Sequence, residues 1–403
     1  MNQKILIIGS VWPEPNSSAA GIRMLQLIQS FQKYQKEVVF ATQAHQSQFA
    51  FNLATINVES FKISVNDSSF DKFVKNQNPT VVMFDRFIME EQFGWRVAEQ
   101  CPDALRILDT EDLHFLRKER QQKVNQKFEN ETFSDISKRE IASIYRCDLT
   151  LIISEFEMEL LTVNYQVPIE RLMYLPMWSD SVSRINTFAE RNHFMFVGNF
   201  MHEPNWDCVR YLKSEIWPSI RKKIPNSELH VYGAYPIDKV FQLNNEKEGF
   251  IIKGRAEDVN EICQNYRLMI APLRFGAGVK GKFIDAMRNG LPSITTTLGA
   301  ESMIEKEDWP GFVSDEIQDI ISNAIEIYSN ELRWNDLSNK AFKIHNEKFL
   351  VKNWPVTFIE KVKFYIENQQ YIRQNNFIGA MLMHHSQQST KFMSKWIELK
   401  NQL

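Results

Sequence analysis

Short apolar runs recur along the first half of the chain, separated by amphipathic or polar stretches. Residues 4–9, 37–42, 80–85, 105–110 and 149–154 are five such runs. Each is too short for a helix and lacks polar alternation, so each reads as a parallel strand buried on both faces. Between them, residues 21–36 place Ile22, Leu25, Ile28 and Phe31 near one helical face, and 115–146 also reads as helix. The alternation predicts a doubly wound α/β domain over residues 1–180. The polar, aperiodic stretch 179–192 reads as a linker. Strand-like runs then resume at 193–199, 228–234, 249–254, 267–273 and 292–297, with helices near 205–223, 257–265 and 279–289. They predict a second α/β domain over 193–350. Beyond residue 315 only helical patterns remain (315–329, 331–348, 354–373 and 376–401). The tail, 351–403, is expected either to cross back to the first domain or to form an interface, including a homodimer contact. Its many apolar residues, among them Phe377, Phe392 and Trp396, are expected to be covered, with packing in cis the preferred arrangement.

Composition narrows the classes. Hydrophobic residues are 43% and charged residues 24% of the chain, as in ordinary globular proteins, which excludes collagen-like and disordered chains. No apolar run approaches the ~20 residues that span a bilayer. Only Lys4 precedes the first short apolar run, which reads as a strand and not as a leader. The expectation is a cytoplasmic protein, with a peripheral contact at the inner membrane face left open. Residues 1–190 carry 20 Lys and Arg against 25 Asp and Glu, and residues 191–403 carry 27 against 25. Neither balance argues for a nucleic-acid partner. The four cysteines form no CxxC or Cys/His cluster, so no metal site is expected.

The chemistry concentrates in one loop. Arg274-Phe275-Gly276-Ala277-Gly278-Val279-Lys280-Gly281-Lys282 follows a strong strand and precedes a helix. Glycines let backbone amides approach a ligand, and a helix N-terminus attracts anions. With three cations, the loop points to a phosphate or diphosphate. It satisfies the dinucleotide fingerprint G-x-G-x-x-G, with Glu301 following at 20 residues, but lysines inside that loop fit the fingerprint poorly. It also satisfies G-x-x-x-x-G-K, but Phe283 stands where a P-loop needs Ser or Thr for magnesium.

The stretch 271–302 with its Ala286-Met287-Arg288-Asn289-Gly290-Leu291-Pro292 segment, the opening 197–207, the segment 109–120 around His114 and the loop 9–24 together resemble retaining GT-B glycosyltransferases, family 4 in particular. The resemblance covers roughly residues 1–350. It implies two tandem Rossmann-like domains with a helical C-terminal tail, and transfer of a sugar from a UDP-, GDP- or similar nucleotide sugar with retention of configuration. The implied acceptor is a cell-surface polysaccharide or glycoconjugate precursor. It implies no cofactor and no metal.

By resemblance, His114, Arg274 and Lys282 are catalytic. Gly21, Asn205, Gly278, Lys280, Gly281, Asp285 and Glu301 would bind the nucleotide sugar. The family's first glutamate is missing: aligning Asp285 with the second places Ala277 at the first. Two alternatives stay open on this scaffold, a non-catalytic binding or assembly subunit and a nucleotide-sugar 2-epimerase. Asp109-Thr110-Glu111 superficially resembles a metal-binding acidic triplet of the other glycosyltransferase fold, but the neighbouring architecture does not support that reading.

Overall fold

A computed structural model describes residues 4–126, 133–182, 186–351 and 354–401. The first sheet contains β1 (Lys4–Gly9), β2 (Glu37–Thr42), β3 (Glu59–Lys62), β4 (Val81–Asp85), β5 (Leu105–Asp109), β6 (Leu149–Ile152) and β7 (Leu172–Tyr174) in the order β3-β2-β1-β4-β5-β6-β7. Every pairing is parallel. The second contains β8 (Asn192–Val197), β9 (Leu229–Tyr232), β10 (Phe250–Gly254), β11 (Tyr266–Ala271), β12 (Ser293–Thr295) and β13 (Gly311–Val313) in the order β10-β9-β8-β11-β12-β13. It too is parallel throughout. Helices cover both faces, so the central strands carry almost unbroken apolar runs: β4, Val-Val-Met-Phe-Asp, is buried at every position.

The sequence pattern misses β3, β7 and β13. All three are edge strands of three or four residues. β3, Glu-Ser-Phe-Lys, is polar and largely exposed, since an edge has only one neighbour to bury it.

In each sheet the strand order reverses between the first strand and its far neighbour, β1 beside β4 and β8 beside β11. The loops leaving these strands diverge there and open a crevice at the carboxyl ends. The two crevices face each other across the domain boundary. Between the domains, part of the predicted linker (183–185) lies outside the described residues. The described part is pinned by the return crossing: Ser179 N–H donates to Phe349 O at 2.9 Å, and Val351 N–H to Ser179 O at 3.0 Å.

Helix Trp354–Glu367 carries the chain back onto the first domain, burying Phe358, Ile359, Val362 and Tyr365 against the core around Phe31. A single helix, Phe377–Asn401, follows, unbroken through its polar middle. It packs on helices Phe87–Gln100 and Asp135–Arg146 of the same chain. The expected covering of its apolar residues is corrected by the structure. Gly379, Gln387 and Ser394 face inward, while Phe377, Phe392, Met393, Trp396 and Leu399 are more than 60% exposed. The surface beneath explains the choice, because it presents the buried charges Glu90, Arg96 and Arg146. Such charges need polar partners. Gln387 donates to Glu90 at 3.3 Å, and the Ser386 and Ser394 hydroxyls accept from Arg146 and Arg96. Among the described residues no helix is long and apolar enough to cross a membrane.

Candidate active site

The glycine loop lies at the carboxyl end of β11 and leads into helix Gly281–Arg288. Its glycines serve close approach between domains. A Cβ on Gly278 would lie 2.9 Å from Asp112 Cβ, and one on Gly281 would lie 2.9 Å from Ala19 Cβ. Gly278 also needs its positive φ of 63°. Its amide does not stand free for a ligand: it donates to Glu157 Oε1 at 2.9 Å.

Three of the sequence-selected residues converge around the start of helix Glu203–Tyr211. Lys282 Nζ donates to Asn205 Oδ1 at 2.7 Å and lies 4.2 Å from the centre of the Phe196 ring. Burial brings the Lys282 pKa down to about 8. Arg274 forms a two-pronged pair with Asp207 at 2.9 and 2.5 Å, stacks near Tyr211, and remains 39% exposed. Lys280 is instead an internal brace. Its ammonium donates to Gly278 O at 2.9 Å, and burial lowers its pKa to about 8. Asp285 stands one turn after Lys282. Burial raises its pKa to about 6, against the pull of Arg288.

Glu301 is turned to the domain boundary. Arg120 of helix His114–Val124 grips its carboxylate at 2.8 and 2.7 Å and also donates to Gly276 O at 2.9 Å. Gly21 is likewise enclosed: its amide donates to Ser18 Oγ, and a Cβ there would meet the Glu14 backbone at 2.4 Å. The small residues of the N-terminal loop therefore admit neighbouring backbone and the second domain. Glu14 itself accepts from Tyr235 of the second domain at 2.6 Å.

His114 opens its helix on the other side of the cleft. The orphan amides at this helix start are satisfied internally: Leu113 N–H donates to Glu157, and those of His114 and Phe115 to Glu140. Burial raises Glu157 to about 7 and Glu140 to about 8. The His114 imidazole lies edge-on to Phe87 and 3.7 Å from Asp112. Burial outweighs Asp112 and drops the His114 pKa to about 4, so the ring is neutral near pH 7. His202, from the second domain, is lowered to about 4 for the same reason. The two histidines, Arg117, Lys118 and Phe275 line an interdomain cleft of about 360 Å³.

The acidic run separates into individual tasks. Asp109 is fully buried and clamps Arg23 at 2.8–3.1 Å, while Asp112 pairs with Arg117. Glu111 sits at φ 62°, and burial with Asp109 nearby raises its pKa to about 8. Among the described residues no three His, Cys, Asp or Glu side chains are grouped as metal ligands.

The sequence reading missed Arg120, Glu157, His202 and Asp207. Glu157 carried a weak signal, standing three residues after Ser154 in a capping pattern. The structure uses only half of that box. Ser154 caps the helix, and Glu157 reaches across the cleft instead.

Comparison with known proteins agrees with this architecture. Residues 191–330 match the family model described as glycosyl transferases group 1. No curated protein matches the chain. Among solved structures, sucrose-phosphate synthase from Thermosynechococcus elongatus superposes with a TM-score of 0.69 at 13% identity, covering 91% of this chain and 100% of that one. The pneumococcal O-GlcNAc transferase GtfA, solved with UDP and GlcNAc, gives 0.68 at 13% identity, covering 91% and 99%. WaaG, a glycosyltransferase involved in lipopolysaccharide biosynthesis, gives 0.63 at 12% identity, covering 88% and 98%. The chain thus has the GT-B fold of these enzymes, and its second domain carries the match to glycosyl transferases group 1.

Proposed function

We propose that this protein transfers a sugar from a nucleoside-diphosphate sugar to an acceptor, with retention of configuration and without a metal. The observation that carries the reading is the cluster of Lys282, Asn205 and Arg274 in the domain that matches glycosyl transferases group 1, across the cleft from a neutral His114. Breaking the glycosidic bond builds negative charge on the leaving diphosphate. Cations fixed at that place stabilise the transition state more than the ground state. Lys282 is already desolvated and Arg274 is exposed enough to exchange Asp207 for a phosphate. A neutral His114 donates a hydrogen bond to a donor-sugar hydroxyl without placing a second positive charge beside the developing oxocarbenium ion. Asp285 is left for donor hydroxyls.

The UDP in the pneumococcal neighbour supports a UDP-sugar as the first donor to test, and WaaG supports a glycoconjugate precursor as acceptor. Ala277 packs against the first-domain core, so the sugar contact made by the usual first glutamate falls to other groups. That replacement favours one second reading, a subunit that binds the nucleotide without transfer. The test is thermal stabilisation by UDP, GDP and ADP sugars, followed by product analysis with acceptor in the presence of EDTA. A nucleotide at 100 times its Kd should stabilise the fold by about 2.7 kcal/mol. Absence of stabilisation by every nucleotide sugar would remove the proposal. Binding without transfer to any acceptor would select the second reading.

A further inference from the structure

A second cavity lies far from the cleft, between the first domain and the C-terminal helices. It has a volume of about 240 Å³, room for several waters at ~30 Å³ each. Three guanidinium groups line it: Arg106, Arg146 and Arg373. Arg106 is the second residue of β5, so this site belongs to the amino end of the sheet, opposite the crevice.

The arginines differ in how well they are satisfied. Arg373 holds both oxygens of Asp148 at 2.8 Å and donates to the carbonyls of Pro102 and Ala104. Arg146 is paired with Glu90 and donates to Ser386. Arg106 is only 7% exposed, yet its guanidinium has no oxygen acceptor among the described residues. Its Nη1 reaches the Met383 sulfur at 3.4 Å, a weak acceptor, and its Nε has no hydrogen-bond partner. The nearest carboxylate oxygen, on Asp148, is 3.9 Å from Nε and already engaged by Arg373. Three arginines against Asp148 and Glu90 leave one positive charge in excess. A buried guanidinium without an acceptor is costly, and this one faces an open cavity.

We propose that this cavity is an anion site that takes a phosphate group, with Arg106 as its principal donor. Guanidinium forks match phosphate oxygens in pairs, and a phosphate would supply both the missing acceptor and the missing charge. The same recognition serves a free phosphate compound or a phospholipid headgroup. Helix Phe377–Asn401 supplies Gly379, Ala380 and Met383 to the cavity wall, and the neighbouring Phe377, Ile378 and Met381 on that helix are exposed. The proposal does not depend on the reading of the cleft.

The probes are inorganic phosphate, with chloride at matched ionic strength, and vesicles of phosphatidylglycerol or phosphatidylcholine. Phosphate should raise the melting temperature of the full chain, and should still do so in Lys282→Ala, which disables the cleft cluster. Met383→Glu places a carboxylate beside Arg106. It should stabilise the phosphate-free protein and weaken phosphate binding at least tenfold. Arg106→Gln should show the same loss of binding. If phosphate alone gives no shift but the protein sediments with phosphatidylglycerol vesicles and not with phosphatidylcholine, and Met383→Glu abolishes this, the phosphate belongs to a lipid. Equal phosphate or vesicle binding by wild type and a folded Met383→Glu, or no binding to either probe, would overturn the proposal.

Discussion

Replacing Lys282 with arginine separates the charge of this residue from its titration. Burial brings the lysine from its usual 10.5 to about 8, a penalty on the charged form of roughly 3 kcal/mol. A bound diphosphate opposes that penalty, so the complex holds the proton more tightly than the free protein. UDP affinity should therefore be level up to about pH 8. Above it, binding must draw a proton from solution, and Kd should weaken up to ~10-fold per pH unit. Lys280 also stands at about 8, so some slope has a second source. Lys282→Arg keeps Lys280 and removes only the titration of residue 282. Its Kd should lose the part of the slope due to Lys282 while affinity at pH 7 stays near that of wild type. Lys282→Met should lose affinity at every pH and slow transfer by about 10²–10³, the usual cost of one transition-state donor. The assay is calorimetric titration of UDP between pH 7 and 9, with single-turnover rates alongside. A slope in Lys282→Arg identical to wild type, or normal turnover in Lys282→Met, would refute the assignment of Lys282 to the leaving group.

Other consequences follow from the same contacts. His114→Ala should leave UDP binding nearly intact and lower transfer; an equal loss of both would place His114 in the nucleotide pocket. Because the imidazole titrates near 4, the transfer rate of wild type should show no inflection from His114 between pH 6 and 8. Arg120→Ala and Glu301→Ala should couple by about 1 kcal/mol or more in a double-mutant cycle read by thermal unfolding, and strict additivity would show the clamp to be idle. Glu157 is raised from 4.5 to about 7, so the folded protein holds its proton more tightly than the unfolded chain. That contribution is full below pH 4.5 and is lost as pH rises through 7. Glu157→Gln should lessen the loss of stability between pH 5 and 8, and an unchanged profile would exclude Glu157 as its source. Phe392→Ser with Trp396→Ser should change stability by less than about 0.5 kcal/mol each and raise solubility, since both side chains are exposed; a large drop in melting temperature would contradict the outward orientation of that face.

The sequence by itself determined the strand-helix alternation, because strands buried on both faces need unbroken apolar runs, and β1, β4 and β11 carry them at Ile5–Ile8, Val81–Phe84 and Leu268–Ala271. It also determined that one cationic glycine loop stands at the end of a second-domain strand. It left β3, β7 and β13 unread, since β3 is polar and largely exposed at its edge and the three residues of β7 and of β13 make no period. What only the tertiary structure decided is which groups meet. Lys282 and Asn205 are 77 positions apart, and Arg120 and Glu301 are 181 apart, so no local pattern encodes either pair. The glycines of the loop looked like openings for a ligand, but part of their space is filled by Asp112 and Ala19 from the other domain. The last helix shows the same limit most plainly. Its composition called for burial of the apolar side, yet the charges on the surface beneath it, Glu90, Arg96 and Arg146, required the polar side and turned the apolar residues outward.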